Sequence, residues 1–407
     1  MAIIVQKFGG TSVSNVAHIK SVAQKVLLTK SLGDSPIVVV SAMAGVTNQL
    51  ANYCATLSCL TSQESLAEYD VALSSGEIVT SSLLALALQA LGTRAMSLTA
   101  WQLPINTTGD FSKALINSID IDYLKSLLTD GITPIIAGFQ GASPDGRITT
   151  LGRGGSDTTA AALAAAIDAD RCDIYTDVDG VFTTDPRLVH NARKISFLSY
   201  EEMLEFASSG AKVLHTRSVQ IAMKYSIPLR VISSFTEAPS TEALSTEASL
   251  TEIMGTTITN RDLIMETPKI TGIAYNKNFA AVDIESDVTL ILEKLTQSNV
   301  HIDSFYRKDP KTTTLLIPLE DISKTKLAIK DEKYSISTDI AILSVVGFGI
   351  KNTPEILRDV CFSLKQHNIS IMMMTSSEIK ISLMLPEKDL EQAVKILHEA
   401  LGLGEEA

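Results

Sequence analysis

Short apolar runs, most of them bounded by glycine, proline or aspartate, recur through the first 234 residues. They are "IIV" (3–5), "PIVVVSAM" (36–43), "GITPIIAGFQG" (131–141), "CDIYTDV" (172–178) and "IPLRVISS" (227–234). Rich in Val and Ile and too short for helices, they read as strands buried on both faces. Between them, 15–30 and 156–168 read as helices, and so does 76–91, where "LLALALQAL" is apolar nearly all round. Strands and helices alternating in this order predict a mostly parallel sheet sandwiched by helices, an α/β domain over 1–234. Ligands of such folds sit beyond the carboxyl ends of the strands.

The pattern then breaks. "TEAPSTEALSTEASLTEIMG" (236–255) repeats every five residues, with Glu237, Glu242, Glu247 and Glu252 in phase. A period of five matches neither a strand nor a helix face, so 235–260 reads as a solvated Thr/Glu-rich linker. Beyond it, 268–400 falls into two similar halves, each a strand, a helix and further strands, with a last helix at 387–401. Two βαββ-type units of this size predict paired small α+β modules over 261–407.

With 407 residues, 45% hydrophobic and 20% charged, the chain has room for two or three domains and an ordinary globular core. A net charge of −12 argues against a general nucleic-acid or anionic-membrane binder. The four cysteines form no CxxC pair, so neither a disulfide framework nor a zinc site is indicated. The N-terminus reads as a first strand rather than a signal peptide, and no apolar run approaches the ~20 residues of a membrane span. A cytoplasmic protein is expected.

Three motifs carry candidate chemistry. Lys7-Phe8-Gly9-Gly10 ends the first strand, with the lysine before the glycines rather than after them as in a P-loop. The glycines either serve a turn alone or let backbone N–H groups approach phosphate oxygens beside Lys7. In "TTLGRGGSDTTAAALAAAIDAD" (149–170), Gly152, Gly154 and Gly155 surround Arg153, and Ser156 and Asp157 open an alanine-rich helix. Ser or Asp there could be an N-cap, but an arginine fork within three glycines suits an anion, particularly a carboxylate. "YTDVDGVFTTDPR" (175–187) is not a calcium loop, since Leu188 stands where the twelfth-position glutamate is needed. Its carboxylates, with Phe182 and Arg187, could embrace a nucleotide or form a polar loop. Weaker signals are Glu77 in "SSGE", which capping or dipole support explains equally well, and Lys212 and His215 in "SGAKVLH". The histidine reads as structural. "VVGFGIKN" imitates a dinucleotide fingerprint but has Asn352 for its third glycine.

In this order, KFGGTS, SSGE, LGRGGSDTTA, TDVDGVFTTDPR and GAKVLH resemble the aspartokinases of the amino-acid kinase superfamily. "TSSEIKIS" (375–382) is similar to the last part of their paired ACT domains. The resemblance implies the amino-acid kinase fold, followed by two ferredoxin-like ACT modules that join two chains as a homodimer. It implies transfer of the ATP γ-phosphoryl group to the β-carboxylate of L-aspartate, the first step of lysine, threonine and methionine biosynthesis. Lys7, Phe8, Gly9, Gly10, Thr176, Asp177, Phe182, Asp185, Arg187 and Lys212 are thereby implied for ATP, which carries Mg²⁺. Ser41, Thr47, Glu77, Arg153, Gly154, Gly155 and Ser156 are implied for aspartate, and Lys7, Asp157 and Lys212 for catalysis, with no protein-bound metal. Phe182 stands where many relatives have tyrosine, so stacking persists without the hydroxyl.

The chemistry agrees with this set. A β-carboxylate with a reference pKa of ~3.9 is ionised near neutrality, so no general base is required, and positive charge must bring two anions together. Lys7 would hold the transferring phosphoryl group, with Gly9 and Gly10 donating backbone N–H bonds and Asp157 orienting Lys7. Lys212 would neutralise the β- and γ-phosphates, Arg153 clamp the α-carboxylate and Glu77 pair with the ammonium. Another carboxylate kinase of this fold and a non-catalytic ACT sensor are the alternatives. The sensor has no use for Lys7 or Arg153. The ACT modules also depart from the family's effector sites: Glu285-Ser286-Asp287-Val288 replaces a Pro-Gly, and Glu355 stands where glycine is common.

Overall fold

The structure is a computed structural model and describes residues 2–211, 213–236, 255–260 and 270–404. Two compact units are drawn from it, one from 1–181, 194–207 and 212–266, the other from 182–193, 208–211 and 267–407. The chain runs through β1 (Ile3–Phe8), α1 (Val16–Ser31), β2 (Ser35–Val40), α2 (Val46–Leu57) and the long α3 (Gln63–Ala90). Then come β3 (Ala95–Leu98), β4 (Ile105–Thr107), β5 (Ile116–Ile119), α4 (Asp122–Thr129), β6 (Thr133–Ala137), β7 (Gln140–Ala142) and β8 (Ile148–Thr150). Next are α5 (Gly155–Ile167), β9 (Arg171–Thr176), β10 (Val181–Phe182), β11 (Lys194–Ile195) and β12 (Phe197–Ser199). Finally come α6 (Tyr200–Ser208), α7 (Thr216–Tyr225), β13 (Leu229–Ser233) and β14 (Thr256–Thr259).

The first unit is built on a sheet of order β12-β14-β13-β9-β1-β2-β6-β3. From β13 to β3 the strands are parallel. Ile4 and Val5 of β1 and Ile37 to Val40 of β2 are wholly buried, which is why these strands read as unbroken apolar runs. Ile19, Val22 and Val26 of α1 and Leu84 and Leu88 of α3 pack with Phe8, Val38 and Val40. Ala160, Ala161, Ala162 and Ala164 are all buried, and such small side chains let α5 lie close against β1, β2 and β9. β5-β4-β7-β8 form a second, small sheet.

Several expectations change. The helix expected at 76–91 is the second half of α3, which starts at Gln63, so Glu77 lies mid-helix and neither caps it nor meets its dipole. By length and composition alone α3 could cross a membrane, though Ser, Thr and acidic residues interrupt its apolar stretches. Half of its most apolar stretch is buried, however, as in a core helix, and it carries the buried Asp70 and Glu77. Part of the expected linker is sheet. The β-branched Thr256 to Thr259 pair antiparallel with β13 and parallel with β12, and so continue the sheet beyond β13. The glutamates of the five-residue repeat, Glu237 to Glu252, lie outside the described residues.

In the second unit, β15 (Gly272–Asn276) precedes a complete module. It comprises β16 (Phe279–Ile284), α8 (Val288–Gln297), β17 (Ser304–Arg307), β18 (Thr313–Pro318), α9 (Ile322–Ala328) and β19 (Tyr334–Ser337). Its antiparallel sheet has order β17-β18-β16-β19. β20 (Ile340–Val346), α10 (Pro354–Gln366), β21 (Met373–Ser376), β22 (Lys380–Pro386) and α11 (Leu390–Ala400) form the other module, whose fourth strand is β15. The two halves are therefore nested rather than consecutive. Period-two alternation sorts the side chains: Val282, Ile284, Leu315 and Ile317 pack with Ile291 and Leu295 of α8. Ala281, Leu316, Ile342 and Met384 form a separate cluster from both sheets.

Candidate active site

Lys7 lies on β1 between Val39 of β2 and Ile174 of β9. Its Nζ is 2.6 Å from Asp157 Oδ1 in the first turn of α5, and the two side chains are only 10% and 13% exposed. An ammonium so far out of water needs a partner, and Asp157 both compensates the charge and holds it at the carboxyl ends of the strands. Gly9 adds one bond to the β1·β9 ladder, its N–H donating to the Tyr175 carbonyl at 3.1 Å. That N–H is consequently not directed at phosphate, which corrects one expectation. A Cβ at Gly9 would make only ordinary contacts, 3.4 Å from Tyr175 O and 3.5 Å from Lys7 Nζ, so neither close packing nor a positive φ requires the glycine. Gly10 accepts from Ala44 N–H at 3.1 Å, and its own N–H has no partner among the described residues. The Phe8 ring is wholly buried and stacked on Tyr175 with centroids 4.5 Å apart, so the ring belongs to the core and cannot stack on a nucleotide.

Glu77 reaches the same strand ends from the middle of α3. At Gly76 a Cβ would fall 2.7 Å from Ala42 Cβ, so only glycine lets the helix press against the loop after β2. That contact brings the Glu77 carboxylate to the Ala42 N–H, beside Ser41, whose own N–H donates to Phe8 O at 3.1 Å. Glu77 is 3% exposed and its Oε2 has no hydrogen-bond partner. Burial pushes its pKa up to about 7, against the pull of backbone hydrogen bonds from Ala42 and its own N–H. A buried carboxylate with an unsatisfied oxygen suits a cation. Thr47 follows in the first turn of α2, half-buried.

The turn between β8 and α5 carries Arg153 to the surface. Gly154, not Ser156 or Asp157, is the N-cap of α5, with φ +66°; a Cβ there would fall 2.3 Å from His215 Cβ. The capping alternative for Ser156 and Asp157 is thereby excluded. Gly155 N–H closes the turn onto Gly152 O at 3.0 Å, and Ser156 is buried behind it. His215 caps α7, its ring accepting from the Arg217 N–H at 3.4 Å. Burial holds the imidazole below its ordinary pKa, opposed by Asp157 and reinforced by Arg217 and Arg153. The structural reading of this histidine fits.

Thr176 ends β9, its carbonyl accepting from Ser234 N–H at 2.8 Å and its hydroxyl donating to Asp177 at 3.2 Å. The Ser12 and Ser234 hydroxyls bond each other, tying the loop after β1 to the end of β13. Phe182, Asp185 and Arg187 belong to the second compact unit. There Phe182 packs against the core that contains Val189 and Leu343. Asp185 pairs with Arg187 at 2.7 Å and accepts from the Tyr275 hydroxyl at 3.2 Å. Lys212 lies outside the described residues. The first unit therefore brings together Lys7, Gly9, Gly10, Ser41, Glu77, Ser156 and Asp157. The sequence motifs did not point to Asp70, Arg217, or Asp173, which is buried and ion-paired with Arg230 at 2.8 Å. For Asp70 the sequence offered no signal, since Glu64 and Glu68 stand beside it on the same polar first stretch of α3.

A parallel sheet with a buried lysine and a glycine-rich turn at its carboxyl ends defines a class, and the comparisons name it. The amino acid kinase family model matches residues 2–233, and an ACT domain model matches 343–401; the chain belongs to the amino acid kinase family. Its relatives there are aspartokinases. That of Rickettsia felis is 46% identical over 405 residues, spanning 97% of this chain and 98% of its own length. That of Pseudomonas aeruginosa is 41% identical over 420 residues, spanning 99% of this chain and 98% of its own. The crystal structure of E. coli aspartokinase III in complex with aspartate and ADP matches 98% of this chain and 100% of its own, with TM-score 0.79 and 26% identity.

Proposed function

We infer that this chain transfers the γ-phosphoryl group of ATP to the β-carboxylate of L-aspartate, giving ADP and 4-phospho-L-aspartate. One observation carries the reading: the strand ends hold a buried ammonium, Lys7, and a buried carboxylate with an unsatisfied oxygen, Glu77. A zwitterionic acceptor beside a polyphosphate needs both. A carboxylate oxygen attacks Pγ, the bond from Pγ to the β-phosphate bridging oxygen breaks, and ADP leaves with the electron pair; no proton moves. Lys7 Nζ donates to the transferring phosphoryl group, where charge must be offset, and Asp157 holds it in place. Arg153 receives the α-carboxylate and Lys212 the β- and γ-phosphates. Mg²⁺ would enter with ATP on the triphosphate oxygens.

The test is ADP release with aspartate, glutamate and N-acetylglutamate as acceptors. Aspartate should be preferred and the acetylated acceptor rejected, because it has no ammonium for Glu77. Turnover with N-acetylglutamate alone would sink the reading. Arg153→Lys keeps the charge but loses the two-pronged carboxylate contact, so KM for aspartate should rise about tenfold with KM for ATP nearly unchanged. An equal rise in both would assign Arg153 to the nucleotide half instead.

We also propose that the ACT pair serves mainly homodimerisation. Phe362 of α10 and Met372 and Met374 around β21 are exposed apolar side chains that fit self-association. In the first module the stretch before α8 is taken up locally. Glu285 pairs with Lys333 at 2.7 Å, Ser286 Oγ donates to Glu332 at 2.5 Å, and Asp287 caps α8 through Thr289 N–H at 2.8 Å. Asp287 thus already occupies an N-terminal N–H of α8 that an effector carboxylate would need. Lysine and threonine, singly or together, should therefore inhibit weakly, and strong inhibition at sub-millimolar concentration would overturn this.

A further inference from the structure

We propose that Arg217 is a positioning residue for the aspartate half of the site, setting the turn that presents Arg153 without touching substrate itself. The proposal rests on the reading that this turn receives the α-carboxylate of aspartate. Arg217 is the second residue of α7, and its half-buried guanidinium spans two chain segments. Nη1 donates to Leu151 O at 2.6 Å and Nη2 to Ala114 O at 2.8 Å. Those segments are themselves paired, Ala114 N–H donating to Thr150 O at 3.0 Å.

Asp70 grips the same two segments from α3. Its carboxylate accepts from Ser112 N–H at 2.8 Å, Thr150 N–H at 2.7 Å and the Thr150 hydroxyl at 2.7 Å. One anion and one cation thus fix residues 112–114 and 150–151, immediately before Gly152 and Arg153. A Cβ on Gly152 would lie 3.2 Å from Ser112 O, so the 112–114 segment also supports the turn directly. On the far side of Arg153, His215 lies against Gly154. The arginine that must face substrate is held on both sides of the chain by residues at the start of α7.

The arginine fork is what makes this a positioning device. A planar guanidinium with two bonded nitrogens fixes the separation of its two acceptors, which a single ammonium cannot do. Leu151 is two residues from Arg153, and a shift of about an ångström there moves a side chain whose two-pronged contact depends on orientation. The nucleotide half, built from Lys7, Gly10 and the ends of β1 and β9, gains nothing from these bonds. The expected signature is therefore selective for aspartate.

Arg217→Met should raise KM for aspartate about tenfold and leave KM for ATP within about twofold, while Arg217→Lys, which keeps one bond, should fall between Arg217→Met and the unsubstituted chain. The Arg153→Lys Arg217→Met double variant should be little worse than Arg153→Lys alone, because Arg217 acts through Arg153. Full additivity, an equal rise in KM for ATP, or a lowered thermal midpoint with unchanged KM would overturn the proposal. So would loss of the folded protein in both Arg217 variants, since it would place the residue in stability alone. If Arg153→Lys itself leaves KM for aspartate unchanged, the underlying reading fails first, and that result is distinguishable from all of these.

Discussion

Lys7→Ala lowers kcat at least ~100-fold at saturating ATP and aspartate, because it removes a contact that strengthens as charge develops on the transferring phosphoryl group. The structure adds a second effect. Asp157 lies 2.6 Å from Lys7 Nζ with 13% of its side chain exposed, so the substitution leaves a nearly buried carboxylate without its cation. Thermal stability should fall with the rate. Lys7→Ala combined with Asp157→Asn separates the two. The amide needs no counter-charge, so the double variant should recover much of the lost thermal midpoint and none of the lost turnover. Recovery of kcat together with stability would mean that Lys7 serves the fold rather than the reaction.

Glu77→Gln should raise KM for aspartate by about 100-fold, since an amide cannot offer the substrate ammonium a charged, dehydrated partner. A pH dependence accompanies it. With a pKa of about 7 in the folded protein, Glu77 must lose its proton before it can pair with an ammonium. Below that pH, kcat/KM for aspartate should fall about tenfold per pH unit, and above it level off; the glutamine variant should lack this limb. Stability runs the other way. The folded pKa lies above the ordinary 4.5, so the folded chain binds this proton more tightly than the unfolded one. The stability it contributes is fully present below about pH 4.5 and is lost as pH rises through about 7, by roughly 3 kcal/mol. Glu77→Gln should therefore raise the thermal midpoint at pH ~8 and change it little near pH ~5. An unchanged KM, or a midpoint shift equal at both pH values, would remove Glu77 from this role.

The two predictions rest on motifs of very different legibility. Lys7 and Asp157 each stood beside a glycine-rich turn, and both turns were visible as turns. Their pairing across 150 positions was suggested by the resemblance and the chemistry, and the geometry agrees with it. Glu77 is the opposite case. "SSGE" looked like the start of an apolar helix, where an acid has an ordinary capping role. Only when α3 is seen to begin at Gln63 does the acid become an interior residue that must be explained. Gly76 explains how it reaches the site, through contact with Ala42, a neighbour distant in sequence.

The amino-acid order by itself determined the parallel α/β sheet, because strands buried on both faces must be apolar throughout and crossover helices must separate them. It also determined the two small α+β modules and the glycine-rich turns. Tertiary structure decided the rest. β15 is a five-residue strand that could pair with either module, and the hydrogen bonds of β20 chose. Thr256 to Thr259 looked like linker until β13 and β12 offered them partners. Gly9 looked like a phosphate ligand until Tyr175 accepted its N–H. Arg217 carried no local signal, because its two acceptors lie 66 and 103 positions away. Local pattern reports which face of an element avoids water. Which backbone groups satisfy one another depends on segments that meet only after the chain has folded, and buried donors and acceptors must find those partners or be costly to leave unpaired.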